Sequence, residues 1–391
     1  MSTSTPSNIY TARSLAWPLS LAWIVLIVYA SLYPFTNWRS SIGACGDFLW
    51  APLPRYRLFS DMVANVVGYV PLGFLLALAA RASLFRHGGR YFWQLVVMVV
   101  WAVAGAAALS WSMEWAQCWL PARRTSNLDV FLNVAGACVG ALLAAVSVRI
   151  GLQQAWTQWR MHWFAKGTRW AQVLLILWPC ALLFPVELPF ALGQVWEHLT
   201  WQIVTGLQGT PLGAHWVWWD VSNSPKPVWA QMATIVVGLL LPLLLAFGTI
   251  TQRRHRFVAL VLLLTAGCSA TVVSWWLGFG QWEHFVSQAH LVQWALITAW
   301  ALAMLALWLP RAWILGLALL TAVVLLWLVN AYASAVYFEW LLESNMQKSF
   351  IHFYGLTRWL GWLWPWLTLL WLLQYVWHLL RARKTGSTMR A

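Results

Sequence analysis

Ten acidic residues are spread over 391 positions, and two of them begin the same pattern. Asp61 precedes Asn65 and Gly68, and Asp129 precedes Asn133 and Gly136, so D-x-x-x-N-x-x-G occurs twice. Residues at i and i+4 of a helix stack on one face, which lines up a carboxylate, an amide and a bare glycine on each of two helices. Between the copies lie Ser110, Ser112, Glu114 and Gln117, and just before the second copy come Arg123 and Arg124. Carboxylates can exchange protons or ligate metals, and arginine pairs with carboxylate or phosphate through two parallel hydrogen bonds. Asp61, Asn65, Glu114, Gln117, Arg123, Arg124, Asp129 and Asn133 are therefore the candidate ligand-binding set. No catalytic residue is assigned. There is no Gly-rich phosphate loop and no G-x-S-x-G elbow, and Ser110 and Ser112 have no nearby His to complete a triad. The five cysteines show neither C-x-x-C nor metal-ligand spacing, so no metal or cofactor is expected. Cys45 and Cys118 fall on the same predicted side, where a disulfide is one open outcome.

The elements that must position these groups are membrane helices. Hydrophobic residues make up 61% of the chain and charged residues 9%, against roughly a quarter charged in soluble domains. Apolar runs of about 20 residues recur along the whole length, each enough to cross a hydrocarbon core. They are apolar on every side, as at Val236–Leu245, which excludes alternating barrel strands. The fold class is all-α, a polytopic helical membrane bundle of about ten transmembrane helices. Spans are predicted at 15–36, 59–80, 91–116, 127–148, 170–190, 228–250, 257–278, 291–309, 312–332 and 359–380. The first is too long for a signal-peptide core and reads as uncleaved. Sixteen of the 24 Lys and Arg residues fall on the side of the N-terminus. That asymmetry makes both termini cytoplasmic and the acidic layer external, in a cytoplasmic (inner) membrane. The net charge of +14 then reports topology and attraction to anionic lipid. Membrane lipids are the expected partners, nucleic acid is excluded, and protein partners stay unnamed. Most of the 35 Trp residues read as interfacial anchors.

Each site residue also has a structural reading. Ser126 with Asp129 fits a capping box, Asp61 suits the start of a helix, and Gly136-x-x-x-Gly140 is a common close-packing device. Taken together, the set favours function, because ionisable groups in spans are costly and mark sites.

The stretch Asp61-Met-Val-Ala-Asn65-Val-Val-Gly68-Tyr69-Val-Pro71-Leu-Gly73-Phe resembles the second helix of VanZ-like proteins. Glu114-x-x-Gln117, Arg123-Arg124 and Asp129-x-x-x-Asn133-x-x-Gly136 resemble the family's second block in order and spacing, and Tyr33-Pro34-Phe35 resembles its first helix. The resemblance covers about residues 15–148. It implies a small helical membrane unit of the cell envelope, from a family named for a glycopeptide-resistance accessory protein linked to teicoplanin resistance. It implies no reaction.

The domain reading is therefore a VanZ-like four-helix unit at 1–148, an amphipathic cytoplasmic linker helix at 149–170, and additional spans at 171–391. The last part carries faint echoes of the first. Cys180-Ala-Leu-Leu-Phe-Pro185 parallels Tyr29-Ala-Ser-Leu-Tyr-Pro34, and Thr234-Ile-Val-Val-Gly238 parallels Ala64-Asn-Val-Val-Gly68. A degenerate repeat is one open reading; it would have lost the acids. Trp196-Glu197-His198 and Trp282-Glu283-His284 read as loop helices resting on the membrane, and Glu339 with Glu343 as a solvated face. Three functional classes remain: an accessory protein binding a lipid or cell-wall-linked ligand at an outer-leaflet polar site; a membrane enzyme acting on a lipid or lipid-linked phosphate; and a transporter or flippase, whose mark would be broken helices or midplane charges.

Overall fold

The computed structural model describes residues 14–32, 35, 38, 50, 52, 59–84, 91–121, 125–183, 186, 188–196, 226–278, 282–332 and 351–384. Eleven helices occur among them: α1 Ala16–Leu32, α2 Phe59–Leu84, α3 Tyr91–Gln117, α4 Asn127–Arg149, α5 Leu152–Trp163, α6 Arg169–Ala181, α7 Val228–Thr249, α8 Arg253–Gly278, α9 Trp282–Ala306, α10 Arg311–Asn330 and α11 Ile351–Lys384. No β-strand occurs among the described residues. Seven helices are long and apolar enough to cross a membrane; this is a multi-pass helical membrane protein. At the other three predicted spans lie α1 with 17 residues, α6 with 13 and α11 with 34. Arg123, Arg124, Cys45, Glu197, His198, Glu339 and Glu343 fall outside the described residues.

Contacts divide the chain into two compact units, residues up to His162 and residues from Trp163 onward. In the first, α2 packs most extensively against α4, α3 packs on both, and α1 lies along α2 and α3. Glycines set the α2–α4 distance. A methyl group at Gly140 would stand 1.9 Å from the Val70 carbonyl oxygen, at Gly136 2.2 Å from that of Val66, and at Gly73 2.0 Å from that of Ala137. Val66 and Val70 meet Gly136 and Gly140 in the same order, so the helices are parallel and their N-termini share one end. The buried stripe of α3 runs Gln94, Met98, Ala102, Ala106, Ser110, Glu114 and Gln117, a spacing of nearly four that turns one face inward. The indole of Trp23 on α1 donates to the Gly68 carbonyl at 2.8 Å, and that of Trp17 to Ser83 Oγ at 2.8 Å. Arg81 donates to Gln153, tying α2 to α5.

The second unit is centred on α7, which packs against α10, α9, α8 and α6. Its most apolar stretch is 83% buried, whereas that of α2 is 28% buried. α11 packs on α6 and α10. Two sequence-based expectations differ from the structure. The predicted span at 170–190 ends as a helix at Ala181; Pro185 and Pro189, which have no N–H to give, lie just beyond it. And Trp282–His284 form the first turn of α9 instead of a separate loop helix.

The basic residues read as topology signals also finish helices. Arg256, 5% exposed, donates to the carbonyls of Leu307 and Leu309 at 3.3 and 3.2 Å, just past the end of α9. Arg311 donates to Gly248 O at 2.7 Å near the end of α7. Cations there satisfy the orphan carbonyls of a helix C-terminus. Trp is not confined to interfaces: Trp178 and Trp364 are fully buried, and the Trp364 indole donates to Leu174 O at 2.7 Å.

Candidate functional site

α2 and α4 begin, and α3 ends, at one end of the first unit. Asp61 stands in the first turn of α2 and Asp129 in the first turn of α4. The Asn65 side chain hydrogen-bonds to the Asp129 carboxylate, which also feels the charge of Asp61. The two motif copies therefore meet, and the amide of one serves the acid of the other. Asp61 is exposed, while Asn65 and Asp129 are partly buried.

Beneath this pair lies a buried polar layer. Glu114 is 4% exposed, and its Oε2 accepts the Ser126 N–H at 2.8 Å. Ser126 is the N-cap of α4, its Oγ accepting the Asp129 N–H at 3.4 Å. In an ordinary capping box the acid three residues on returns to the cap's own N–H. Here Glu114 of α3 does so, and the Asp129 carboxylate bonds to the side chains of Asn65 and Ser126 instead. One turn deeper, Asn133 Nδ2 donates to Ser110 Oγ at 2.9 Å. The Tyr69 hydroxyl lies beside Ser110 and within electrostatic range of Glu114, yet Tyr69 Oη and Asn133 Oδ1 are buried without a hydrogen bond of ordinary geometry. Gln117 Nε2 reaches the Ser31 carbonyl at the end of α1, at 3.1 Å.

The sequence-predicted residues thus fall into two levels. Asp61, Asn65 and Asp129 form a near-surface group. Glu114, Gln117 and Asn133 are buried, tying α3 to α4 and α1. Arg123 and Arg124, the two cations of the candidate set, lie outside the described residues. No group of three or more His, Cys, Asp or Glu side chains arranged to hold a metal occurs among the described residues. Tyr69 and Ser110 are polar members that the candidate set omits. The signal was there: Tyr69 continues the Asp61–Asn65 stripe by four residues, and Ser110 precedes Glu114 by four.

Residues 15–148 match the family model described as VanZ/LLP1. This part of the chain is a VanZ/LLP1 domain. Its matched region takes in α1 to α4 nearly complete, and everything from α5 onward is additional to it. No curated protein and no solved structure matches the chain. On the flank of the VanZ/LLP1 domain, in the first turns of α2 that also carry Asp61 and Asn65, Phe59, Met62, Val63, Val66 and Val67 line an open apolar groove of about 260 Å³ with Leu132 of α4. Phe59, Val63 and Val67 are strongly exposed, so in a bilayer the groove faces acyl chains.

Proposed function

We propose that this protein is an envelope accessory protein of the cytoplasmic membrane, with both termini in the cytoplasm. Its VanZ/LLP1 domain binds a lipid or a cell-wall-linked molecule at the outer leaflet without turning it over. The observation that carries this reading is that Asp61 and Asn65, the latter bonded to Asp129, stand in the same first turns of α2 as the groove-lining residues Phe59 to Val67. A chain lying in the groove brings its head group level with two carboxylates. Carboxylates accept hydrogen bonds and give none when ionised, so the described part of the site suits a head group rich in ammonium or hydroxyl donors. The deeper residues hold the helices that present this surface.

The test is native mass spectrometry of the full chain in maltoside micelles with added phosphatidylethanolamine, whose ammonium donates, or phosphatidylcholine, whose quaternary nitrogen cannot. The wild type should retain phosphatidylethanolamine several-fold better, and Asp61→Asn combined with Asp129→Asn should remove the preference at unchanged thermal stability. Equal retention of both lipids by wild type and variant would defeat the reading.

A further inference from the structure

The second unit holds polar groups that its packing does not use. α6 has 13 residues, about 20 Å of helix at 1.5 Å per residue, against a hydrocarbon core of about 30 Å. Beyond α6 the described backbone is irregular and buried: Val186, Leu188, Phe190, Ala191, Leu192 and Val195 are all at most 8% exposed. Phe190 adopts φ 65° and Gly193 φ 106°, and a methyl at Gly193 would press on Leu326 and Pro365. Non-helical backbone at membrane depth persists only where protein or a polar cavity covers it. Here Asn330 pins it. Asn330 Nδ2 donates to Gly193 O at 3.1 Å, its Oδ1 accepts the Trp196 N–H at 3.1 Å, and the Gly193 N–H reaches Gly361 O at 3.0 Å.

Gln194, inside this segment, is 7% exposed, and neither atom of its amide has a hydrogen-bond partner. One turn from Gly361 on α11 stands Arg358. Its guanidinium lies 4.6 Å from the Trp362 ring centre, its Nε is buried without an acceptor, and among the described residues no carboxylate faces it. Trp366, about two turns further along α11, has a buried indole N–H that is likewise unused. At the same end of the unit, buried Lys226 lies 6.0 Å from the Tyr332 ring centre. An unsatisfied buried polar group costs stability, so three unused donors around one broken span call for an explanation. Three of the four unused atoms are N–H donors and the fourth is the Gln194 Oε1 acceptor, and the charge beside them is positive.

We propose that this end of the second unit is a separate binding site for an oxyanion of the phosphate type, carried on a lipid head group or free in solution. Arg358 and Gln194 are its principal donors. Broken spans whose backbone is held by side chains are how membrane proteins build polar sites within the bilayer, and a guanidinium suits a phosphate better than an ammonium does. This site is independent of the acidic one in the VanZ/LLP1 domain.

The full chain in phosphate-free maltoside micelles is titrated with inorganic phosphate, followed by thermal unfolding, and separately with phosphatidylglycerol, followed by native mass spectrometry. At least one probe should bind saturably. Phosphatidylglycerol alone would identify a lipid head group, and competition by inorganic phosphate a soluble anion. Arg358→Met should weaken binding about tenfold or more, and Gln194→Leu several-fold. Gln194→Leu should also keep or raise the unfolding temperature without ligand, because it replaces an unpaired buried amide with an apolar group of similar size. Binding of neither probe, equal binding by both site variants, or a Gln194→Leu protein that is destabilised without ligand would overturn the assignment.

Discussion

The two units solve one problem, bringing a helix into the centre of a membrane bundle, by different means. In the VanZ/LLP1 domain, α2 meets α4 through glycine, with Gly73, Gly136 and Gly140 each admitting a backbone carbonyl of the partner helix. Its α2, α3 and α4 remain largely lipid-facing. The second unit buries α7 on nearly all sides beneath α6, α8, α9 and α10. Its counterpart glycines face aromatic residues and loop: Gly238 meets the Phe190 carbonyl at 2.4 Å, and Gly267 the ring of Trp178 at 2.4 Å. Lipid offers no hydrophobic drive for helices to associate, so close packing and hydrogen bonds must supply it. The thin domain gains its cohesion from backbone approach, the thick one from large side chains. Polar groups stand accordingly at the open end of the thin domain, and around a broken span in the thick one.

The largest effect should come from closing the backbone approach. Gly140→Ala or Gly136→Ala drives a methyl against carbonyl oxygens that belong to the partner helix and cannot rotate away. Overpacking costs about 1–3 kcal/mol where side chains can adjust, and the upper end or beyond is expected here. Denaturant titration of the full chain, followed by protease sensitivity at α2 and α4, should show that end of the VanZ/LLP1 domain opening first. A wild-type transition for Gly140→Ala would mean the helices are further apart than 1.9 Å implies, and the contrast between units would collapse.

Two side chains that hold backbone in place come next. Glu114→Ala removes the acceptor of the Ser126 N–H, and Asn330→Ala removes the grip on Gly193 and Trp196. Each loss leaves buried groups unsatisfied, at about 1–3 kcal/mol. Hydrogen exchange should place the consequences separately, at the first turn of α4 for Glu114→Ala and at residues 188–196 for Asn330→Ala. Glu114→Gln retains an acceptor and should cost about half as much. Protection lost evenly across the chain in either variant would contradict the local roles.

These variants also mark how far the sequence could be read. The helices were legible because lipid demands long apolar runs, and Gly136-x-x-x-Gly140 marked the α4 side of a close contact whose α2 glycine, Gly73, lies outside the repeated pattern. Asp61, Asn65 and Asp129 could be brought together because i, i+4 spacing fixes a face and shared topology fixes a depth. The exchange of capping roles was not legible: that Glu114 and not Asp129 closes the α4 cap depends on the loop returning from α3, which no periodicity records. Nor was the end of α6 at Ala181, because a run rich in Leu, Phe and Pro is equally apolar whether helical or pinned by an asparagine 137 residues away in sequence.

The smallest effect concerns a residue the motif treats as equivalent to the most sensitive ones. Gly68 holds the last position of the first D-x-x-x-N-x-x-G, as Gly136 does in the second. Pattern alone assigns both to helix contact. Yet a methyl built at Gly68 meets nothing within 4 Å, whereas at Gly136 it lies 2.2 Å from backbone. The contact glycine of α2 is Gly73, five residues on. Gly68 contributes its carbonyl, which accepts the Trp23 indole, and alanine has the same carbonyl. Gly68→Ala should therefore shift stability by no more than about 0.5 kcal/mol, with a small gain in helix propensity in its favour. Measured beside Gly136→Ala in one denaturant series, the pair separates residues that share a motif position from residues that share a contact. A Gly68→Ala protein as unstable as Gly136→Ala would show that α1 lies closer to α2 than the 2.8 Å indole bond allows for, and that three helices, not two, depend on glycine in the VanZ/LLP1 domain.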